Sequence, residues 1–299
     1  MTVETTQPDP LQPDPLQIVL DLLNVERLEV DLFRGISPDE TSQRVFGGQV
    51  IGQAMMAAYQ TVEDRVCHSM HAYFIRPGDP NVPIIYQVDH SRDGRSFTTR
   101  RVVAIQHGKQ IFNLAASFQV QEDGWFHEAK MPDVPGPDGL KSRRELREEA
   151  IHLFPESMRK QMTRARAIEM RPVSPQNFFD PQPMSAQHDV WFRATRCFES
   201  DPAIHQCLMA YASDMSLLDS GTRPHGISWH SGEAMMASLD HAMWFHAPAR
   251  TDEWLLYTQD SPHAGGARSF NRGMIFKQDG TLVASVAQEG LMRQRRKKS

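Results

Sequence analysis

The order of structural signals along this chain runs through once and then repeats. In the first half, Gly47-Gly48-Gln49 opens an apolar helical stretch that reaches Tyr59. Extended segments follow at Ser69 to Ile75, Val82 to Asp89, Arg95 to Gln106 and Gln110 to Gln119. The second half begins with a helix near Pro202 and continues with extended segments at Ser238 to Phe245, Glu253 to Asp260, Arg268 to Lys277 and Thr281 to Gln288. Local matches reinforce the shared order: Arg95-Ser96-Phe97 against Arg268-Ser269-Phe270, and Leu114-Ala115-Ala116-Ser117 against Leu282-Val283-Ala284-Ser285. Turns are marked at Asp93-Gly94, His107-Gly108 and Asp279-Gly280. Asp-Gly between β-rich runs is a strong hairpin signal because both residues tolerate positive φ. A repeat of this length constrains the fold more than any single motif, since each copy must be one supersecondary unit.

Each half therefore reads as a helix followed by an antiparallel meander. Two such halves joined edge to edge lose two strand edges that would otherwise invite aggregation. The predicted fold class is α+β, with two fused helix-plus-antiparallel-sheet halves forming one long curved sheet around two central helices. The expected division is a disordered leader over 1–17, halves over 18–124 and 190–293, a connector over 125–189, and a basic tail over 294–299. The connector is rich in Pro, Arg and Glu, carries a charged helix-like run from Ser142 to Arg164, and is expected to cross the outside.

A chain of 299 residues at 40% hydrophobic content can bury one large core or two ordinary ones. Its 32 basic and 37 acidic residues are nearly balanced, which gives no general reason to expect a nucleic-acid partner. Cys67, Cys197 and Cys207 are odd in number and form no C-x-x-C pair, so neither a disulfide framework nor a zinc knuckle is indicated, and no metal is expected. A reducing compartment fits this cysteine usage. The PDPLQPDPLQ duplication near the start lacks the basic-then-apolar order of a secretory signal, and no apolar stretch approaches the ~20 residues of a membrane-spanning helix. The expectation is a soluble, cytoplasmic protein with no membrane partner.

The candidate chemistry begins with the helix expected from Asp201 to about Ser220. Asp201 can cap it, Pro202 suits its first position, and Gly221 can end it. Ile204, Cys207, Leu208, Tyr211, Met215 and Leu218 form an apolar stripe, and Asp214 falls inside it. A carboxylate on a buried face needs either structural partners or a task, because stripping its water costs several kcal/mol. Gln288 is a second anomaly, ending the small and apolar run from Leu282 to Ala287 with a side chain that both donates and accepts. Ser238 opens a third segment, where its hydroxyl can face the same interior. Taken singly, each is also compatible with an ordinary structural, surface or capping residue, and spacing alone does not bring them together.

Longer motifs do. The run from His205 to Asp214 (HQCLMAYASD), then Leu239 to His246 (LDHAMWFH), then Ala287 to Arg293 (AQEGLMR) closely resembles the type II acyl-CoA thioesterase family of double-hotdog enzymes. Upstream, Phe46-Gly47-Gly48-Gln49 and the run His68 to Gly78 match the same family, so the resemblance spans roughly Val25 to Arg293. It implies an acyl-CoA substrate and an aspartate, a hydroxyl residue and a glutamine that orient the hydrolytic water, here Asp214, Ser238 and Gln288. The family commonly carries threonine where this chain has Ser238. No G-x-S-x-G elbow supports a serine-hydrolase route, so direct attack by water, which needs no cofactor, is the simpler chemistry. Helix-start amides at Gly48 and Gln49 are candidate oxyanion donors, with His68 a further candidate at the site. Arg76, Arg95 and Arg268, together with Arg100 and Arg272, are candidates for the coenzyme A phosphates. Met55, Met56, Met235, Met236 and Met243 are candidates for a deformable lining of the acyl chain.

Two rival readings share the pocket but not the chemistry. An enoyl-CoA hydratase of related fold pairs an Asp with a nearby His, whereas the next histidine after Asp214 is His225, beyond Gly221 and Pro224. A non-catalytic acyl-CoA binding protein would keep the cavity without a competent water site. By analogy with other sheets of this shape, the outer faces are expected to pair in a homodimer or homotetramer.

Overall fold

The structure, a computed structural model, describes residues 14–38, 43–199, 201–229 and 232–295. Among these, a single 13-stranded sheet carries the fold, in the order β1-β2-β4-β5-β6-β3-β10-β13-β12-β11-β8-β7, with β9 paired to β13. The strands of the first half are β1 (Glu26–Glu29), β2 (Leu32–Gly35), β3 (Val66–Phe74), β4 (Ile84–Asp93), β5 (Phe97–Gln106) and β6 (Lys109–Gln119). Those of the second are β7 (Ile168–Pro172), β8 (His188–Ala194), β9 (Ala234–Ser238), β10 (Asp240–Phe245), β11 (Leu255–Gly265), β12 (Arg268–Lys277) and β13 (Leu282–Gln294). Read inward from either edge, the order is the same. The halves join where β3 meets β10 antiparallel, from Asp240 opposite Tyr73 to Trp244 opposite Ser69.

Two helices occupy the interior. The helix α2 (Gly47–Tyr59) buries every residue from Gly48 to Ala58, its two polar side chains, Gln49 and Gln53, being hydrogen-bonded to the Ile36 and Leu22 carbonyls, and packs against α5 (Pro202–Ser213). Glycine permits the close approach: a Cβ on Gly52 would lie 3.2 Å from the Cys207 carbonyl oxygen. The β5–β6 hairpin turns at His107 and Gly108, both with positive φ (49° and 68°), which suits the right-handed twist of the flanking strands.

The structure amends several sequence-based boundaries. Of the leader expected over 1–17, residues 1–13 lie outside the described residues, while Asp14 caps a helix α1 (Pro15–Leu23) by accepting from the Leu16 N–H at 3.0 Å. Its Leu16 and Leu23 are fully buried, so a short Pro-Asp motif that resembles linker is in fact a helix start. The stretch 125–189 contributes β7 and the first residues of β8, making it the counterpart of β1 and β2 rather than a connector alone. Its earlier part does cross the outer face: Trp191, Leu256 and Phe276 form a second core there, covered by Met131, Val134 and Leu140, and the Trp191 indole N–H donates to the Pro135 carbonyl at 2.8 Å. The charged run resolves into α3 (Arg143–Glu149), a 3-10 turn and α4 (Glu156–Thr163), with a reciprocal Ser142–Glu145 capping box at the start of α3. The tail expected over 294–299 is strand at Gln294, and the Arg295 N–H donates to the Glu233 carbonyl at 2.7 Å; residues 296–299 lie outside the described residues. No helix among the described residues is long and apolar enough to cross a membrane.

Candidate active site

The continuous helix expected from Asp201 to Ser220 is broken in two. Helix α5 ends at Ser213, and Asp214 is its C-cap (φ −82°, ψ −3°), before α6 (Leu217–Thr222) begins. The break turns the Asp214 side chain towards the N-terminus of α2. That end carries N–H groups with no intrahelical acceptor, and its N-cap residue, Phe46, offers no side-chain bond. Asp214 supplies what is missing, its carboxylate accepting the Gly48 N–H. A Cβ on Gly47 would stand only 2.6 Å from Asp214 Oδ2, so a glycine there leaves room for the carboxylate.

Two strands bring the remaining groups. Ser238 ends β9 opposite Gly290 of β13, two residues from Gln288, so alternation puts both side chains on the same face. Ser238 Oγ donates to Asp214 Oδ1 at 3.0 Å, and Gln288 Nε2 donates to the same oxygen at 2.7 Å. Three elements distant in the chain thus converge on one carboxylate. The segment expected as one strand from Ser238 to Phe245 is two, separated at Leu239, whose N–H bonds the Glu289 carbonyl while its own carbonyl accepts from the Phe74 N–H. That break frees Ser238 from the line of β10.

Asp214 keeps partial exposure as a residue, yet its carboxyl is ringed by protein donors. Loss of water is the largest influence on it and raises its pKa from 3.8 to about 6, against the lowering effect of the Gln288, Ser238 and Gly48 donors. The group is therefore an ionised base at neutral pH that still holds a proton strongly. Gln288 is fully buried, and with Nε2 committed to Asp214 its Oε1 is an unpartnered buried acceptor. Behind the site, Ser213 Oγ lies 2.9 Å from Nε2 of the buried His241, and the Tyr257 hydroxyl donates to the Ser213 carbonyl at 3.3 Å. Burial drives His241 down to about 3, so it stays neutral. These supporting contacts had no sequence signal beyond membership of the motif runs.

The other expected site residues lie elsewhere or are engaged. The Gly48 amide faces the Asp214 carboxylate, and the Gln49 amide reaches the Phe46 carbonyl at 3.2 Å. The Gln49 side chain instead ties down the loop after β2 through the Ile36 carbonyl and Ser37 Oγ, both at 3.1 Å. His68 pairs with Ser117 Oγ at 2.8 Å, across the β3–β6 ladder. Arg76 is exposed and donates to the Gln110 carbonyl at 2.6 Å, while Arg95 is exposed on the β4–β5 turn. Arg268 is held by Glu289 at 2.8 Å and Arg272 by Asp260 at 2.5 Å, whereas Arg100 is buried against Asp93 at 2.7 Å. Met55 and Met243 are sealed in the core. No group of three or more His, Cys, Asp or Glu among the described residues could hold a metal ion.

Comparison with known proteins matches the chain to a family. A family profile described as acyl-CoA thioesterase matches residues 157–291, and one described as the acyl-CoA thioesterase N-terminal domain matches 37–119. The human protein acyl-coenzyme A thioesterase 8 is 41% identical over 285 residues, covering 92% of this chain and 89% of that protein. The chain belongs to the acyl-CoA thioesterase family. Among solved structures, the acyl-CoA thioesterase II TesB2 of Mycobacterium marinum superposes with a TM-score of 0.77 at 42% identity, covering 93% of this chain and 98% of that one. A hot dog fold protein from Alicyclobacillus acidocaldarius superposes with a TM-score of 0.72 at 18% identity over 93% of this chain and 99% of that one, a likeness of fold alone. The chain is a double hotdog of the type II thioesterase family, and the two matched segments each contain one of its central helices or the strands around it.

Proposed function

We propose that this thioesterase hydrolyses acyl-CoA to a free fatty acid and coenzyme A with a water activated by Asp214 and positioned by Ser238 and Gln288. The observation that carries the reading is the convergence of Ser238 and Gln288 on a single oxygen of a carboxylate whose pKa is raised to about 6. A base with a pKa just below the working pH is mostly ionised yet takes a proton readily. Gln288 Oε1, buried and unpartnered, is available to accept a hydrogen bond from the water's second O–H and aim its oxygen. In the step itself, a water O–H bond breaks and its proton passes to Asp214 as the oxygen bonds the thioester carbon. The tetrahedral species then expels the thiolate, and the proton on Asp214 goes to sulfur. Holding water and carbonyl in line contributes several kcal/mol of barrier lowering.

The three cysteines, free in the described structure, fit a reducing, cytoplasmic setting. His71, Tyr73 and Trp244 stand exposed on the outer face where the halves join, which suits pairing between copies in a dimer or tetramer. Release of free thiol from acyl-CoAs of several chain lengths, followed with Ellman's reagent, tests the function. A hydratase or a binding protein releases none, and absence of thiol at every chain length would refute the proposal.

A further inference from the structure

A cavity of about 300 Å³ opens on the far side of α6, between that helix, β8, α3 and the loop around residues 175–178. Its size lies at the lower end of small-molecule sites, roughly 300–1,000 Å³. It begins at Met215, the residue after Asp214, whose carbonyl accepts from Arg143 Nη1 at 3.3 Å. Its walls are strongly basic. Arg143, Arg147 and Arg223 all line it, and Asp219 is the one acidic residue in the lining.

That single carboxylate is engaged on both of its oxygens. Asp219 Oδ2 accepts from Arg143 at 2.6 Å and Oδ1 accepts from the Trp229 indole N–H at 2.8 Å. Arg223 is satisfied only by neutral groups, the carbonyls of Ser185 and Ser174 at 3.1 and 3.0 Å. Arg147 has less: its Nε is buried without a partner, and the charges acting on it are those of Arg143 and Arg166, opposed by the shared Asp219. Burial, followed by these like charges, depresses its pKa to about 10, so the cation is held there at a cost. In the same lining, His188 is only 4% exposed and its Nδ1 has no partner. Burial lowers its pKa to about 3, so it stays neutral. Three guanidinium groups sharing one carboxylate, with an unpartnered Arg147 Nε and an unpartnered buried His188 nitrogen in the same lining, leave the cavity with donors and positive charge that an anion would complete. Arg268, with its charge answered by Glu289, offers no such need.

The rim indicates what the anion is attached to. Trp229 is 52% exposed, yet its indole is pinned by Asp219, leaving a large aromatic surface displayed at the mouth beside Pro175 and Phe178. A fixed indole over a basic cavity suits a base stacked on the ring and phosphates directed inward; such stacking contributes about 1–3 kcal/mol per base. Guanidinium groups, with planar forks of donors, match phosphate oxygens.

We propose that this cavity binds the phosphates of an adenine nucleotide, with Arg147 as the ion partner and Trp229 as the platform for the base. Two sources share that chemistry: the coenzyme A portion of the substrate, which rests on the thioesterase reading above, and a separate free nucleotide, which does not.

The test uses the full chain and adenosine 3′,5′-bisphosphate as probe, with binding measured by calorimetry for the wild type, Arg147→Met and Trp229→Ala. The wild type is expected to bind, and each variant to bind about tenfold or more weakly, as removal of one charge-assisted bond or one stacking partner implies. Trp229 lies at the rim, so its variant reads the proposal even if Arg147→Met fails to fold. Kinetics on an acyl-CoA and on the same acyl group carried by N-acetylcysteamine identify the source. If the nucleotide is that of the substrate, Arg147→Met raises KM for the acyl-CoA about tenfold with kcat within about twofold, and the preference for the CoA ester over the truncated ester falls by the same factor. If the nucleotide is free, that preference is unchanged while bisphosphate binding is still lost. The proposal is overturned if the wild type does not bind the bisphosphate at millimolar concentration, or if all three proteins bind it equally. The binding experiment remains readable even if no thioester is hydrolysed, so the failure of one reading is distinguishable from that of the other.

Discussion

Replacing Asp214 by Asn keeps the side chain's shape and, with its oxygen in the Oδ1 place, its ability to accept from Ser238 and Gln288; it removes the capacity to take a proton and exchanges the second acceptor oxygen at the start of α2 for an N–H donor. Two effects of opposite sign are expected. Without a general base at the attacking water, turnover should fall by about 10²–10⁴-fold. Stability should rise. Because the folded-state pKa is raised, from 3.8 to about 6, folding is favoured by the protonated form. That contribution is fully present below pH 3.8 and is lost as pH rises through 6. Above 6 the wild type carries an ionised, desolvated carboxylate at a cost of about 3 kcal/mol, from linkage at about 1.36 kcal/mol per pKa unit. Asn carries no such charge, so Asp214→Asn should gain roughly 1–3 kcal/mol at pH 8, where part of the gain is offset by weaker bonds to a neutral acceptor, and almost nothing at pH 4. Denaturant melts at the two pH values, beside thiol-release kinetics, read both effects. A structural aspartate behaves the other way, since its loss destabilises the fold and leaves any residual activity proportional to folded protein. A variant that is less stable than the wild type at pH 8, or that turns over normally, would refute the reasoning.

The geometry carries further expectations. Gly47→Ala puts a methyl 2.6 Å from Asp214 Oδ2 and 3.0 Å from the Phe74 ring, so the carboxylate must shift off its donors; kcat should drop roughly a hundredfold, and the melting temperature should fall modestly while the protein stays folded. Ser238→Ala removes one bond to a charged acceptor, a loss of about 1.5–3 kcal/mol that should reduce kcat roughly ten- to hundredfold; Ser238→Thr keeps the hydroxyl, adds a methyl that limits its rotamers, and should restore turnover. In a single turnover in ¹⁸O-water, the released acid should carry one labelled oxygen and Asp214 none. Label in Asp214, with unlabelled acid from the first turnover, would indicate an acyl-enzyme instead.

Much of this was legible in the sequence because the repeat and the motif runs act at the scale of whole elements. The strands flanking His107-Gly108 and Asp279-Gly280 are bounded by residues whose backbone preferences are local, and the structure places strand ends within a few residues of those signals. The edge strands escaped for a physical reason. β1 is exposed along its length (Glu26 to Glu29) and so has no buried face to alternate; β7 does alternate from Ile168 to Pro172, but it is only five residues long and a long loop separates it from β8, so the hairpin spacing by which strands are recognised is missing. The turn at Gly266 and Ala267 also escaped, since an alanine at φ 62° is not a residue that announces a left-handed turn. In the site, an apolar stripe suggested a continuous helix through Asp214. The helix stops there because the carboxylate is recruited to cap α2, a tertiary demand that no local pattern encodes. The same holds for the cavity around Arg147, whose basic residues come from segments far apart in the chain and which, read singly, resemble any solvated helix face.

The pH dependence of kcat/KM addresses the role of Asp214 most directly, measured from pH 4.5 to 8.5 on the wild type and on Gln288→Leu, a variant that cannot donate to the carboxylate. The wild-type profile should rise with pH and level off through an inflection near 6, the value set by burial against three donors. In Gln288→Leu the residual activity should inflect at higher pH, because the Gln288 donor that favours the ionised carboxylate is gone. A wild-type profile with no ionisation in this range, or an inflection that stays in place when Gln288 is removed, would contradict the assignment of Asp214 as the base.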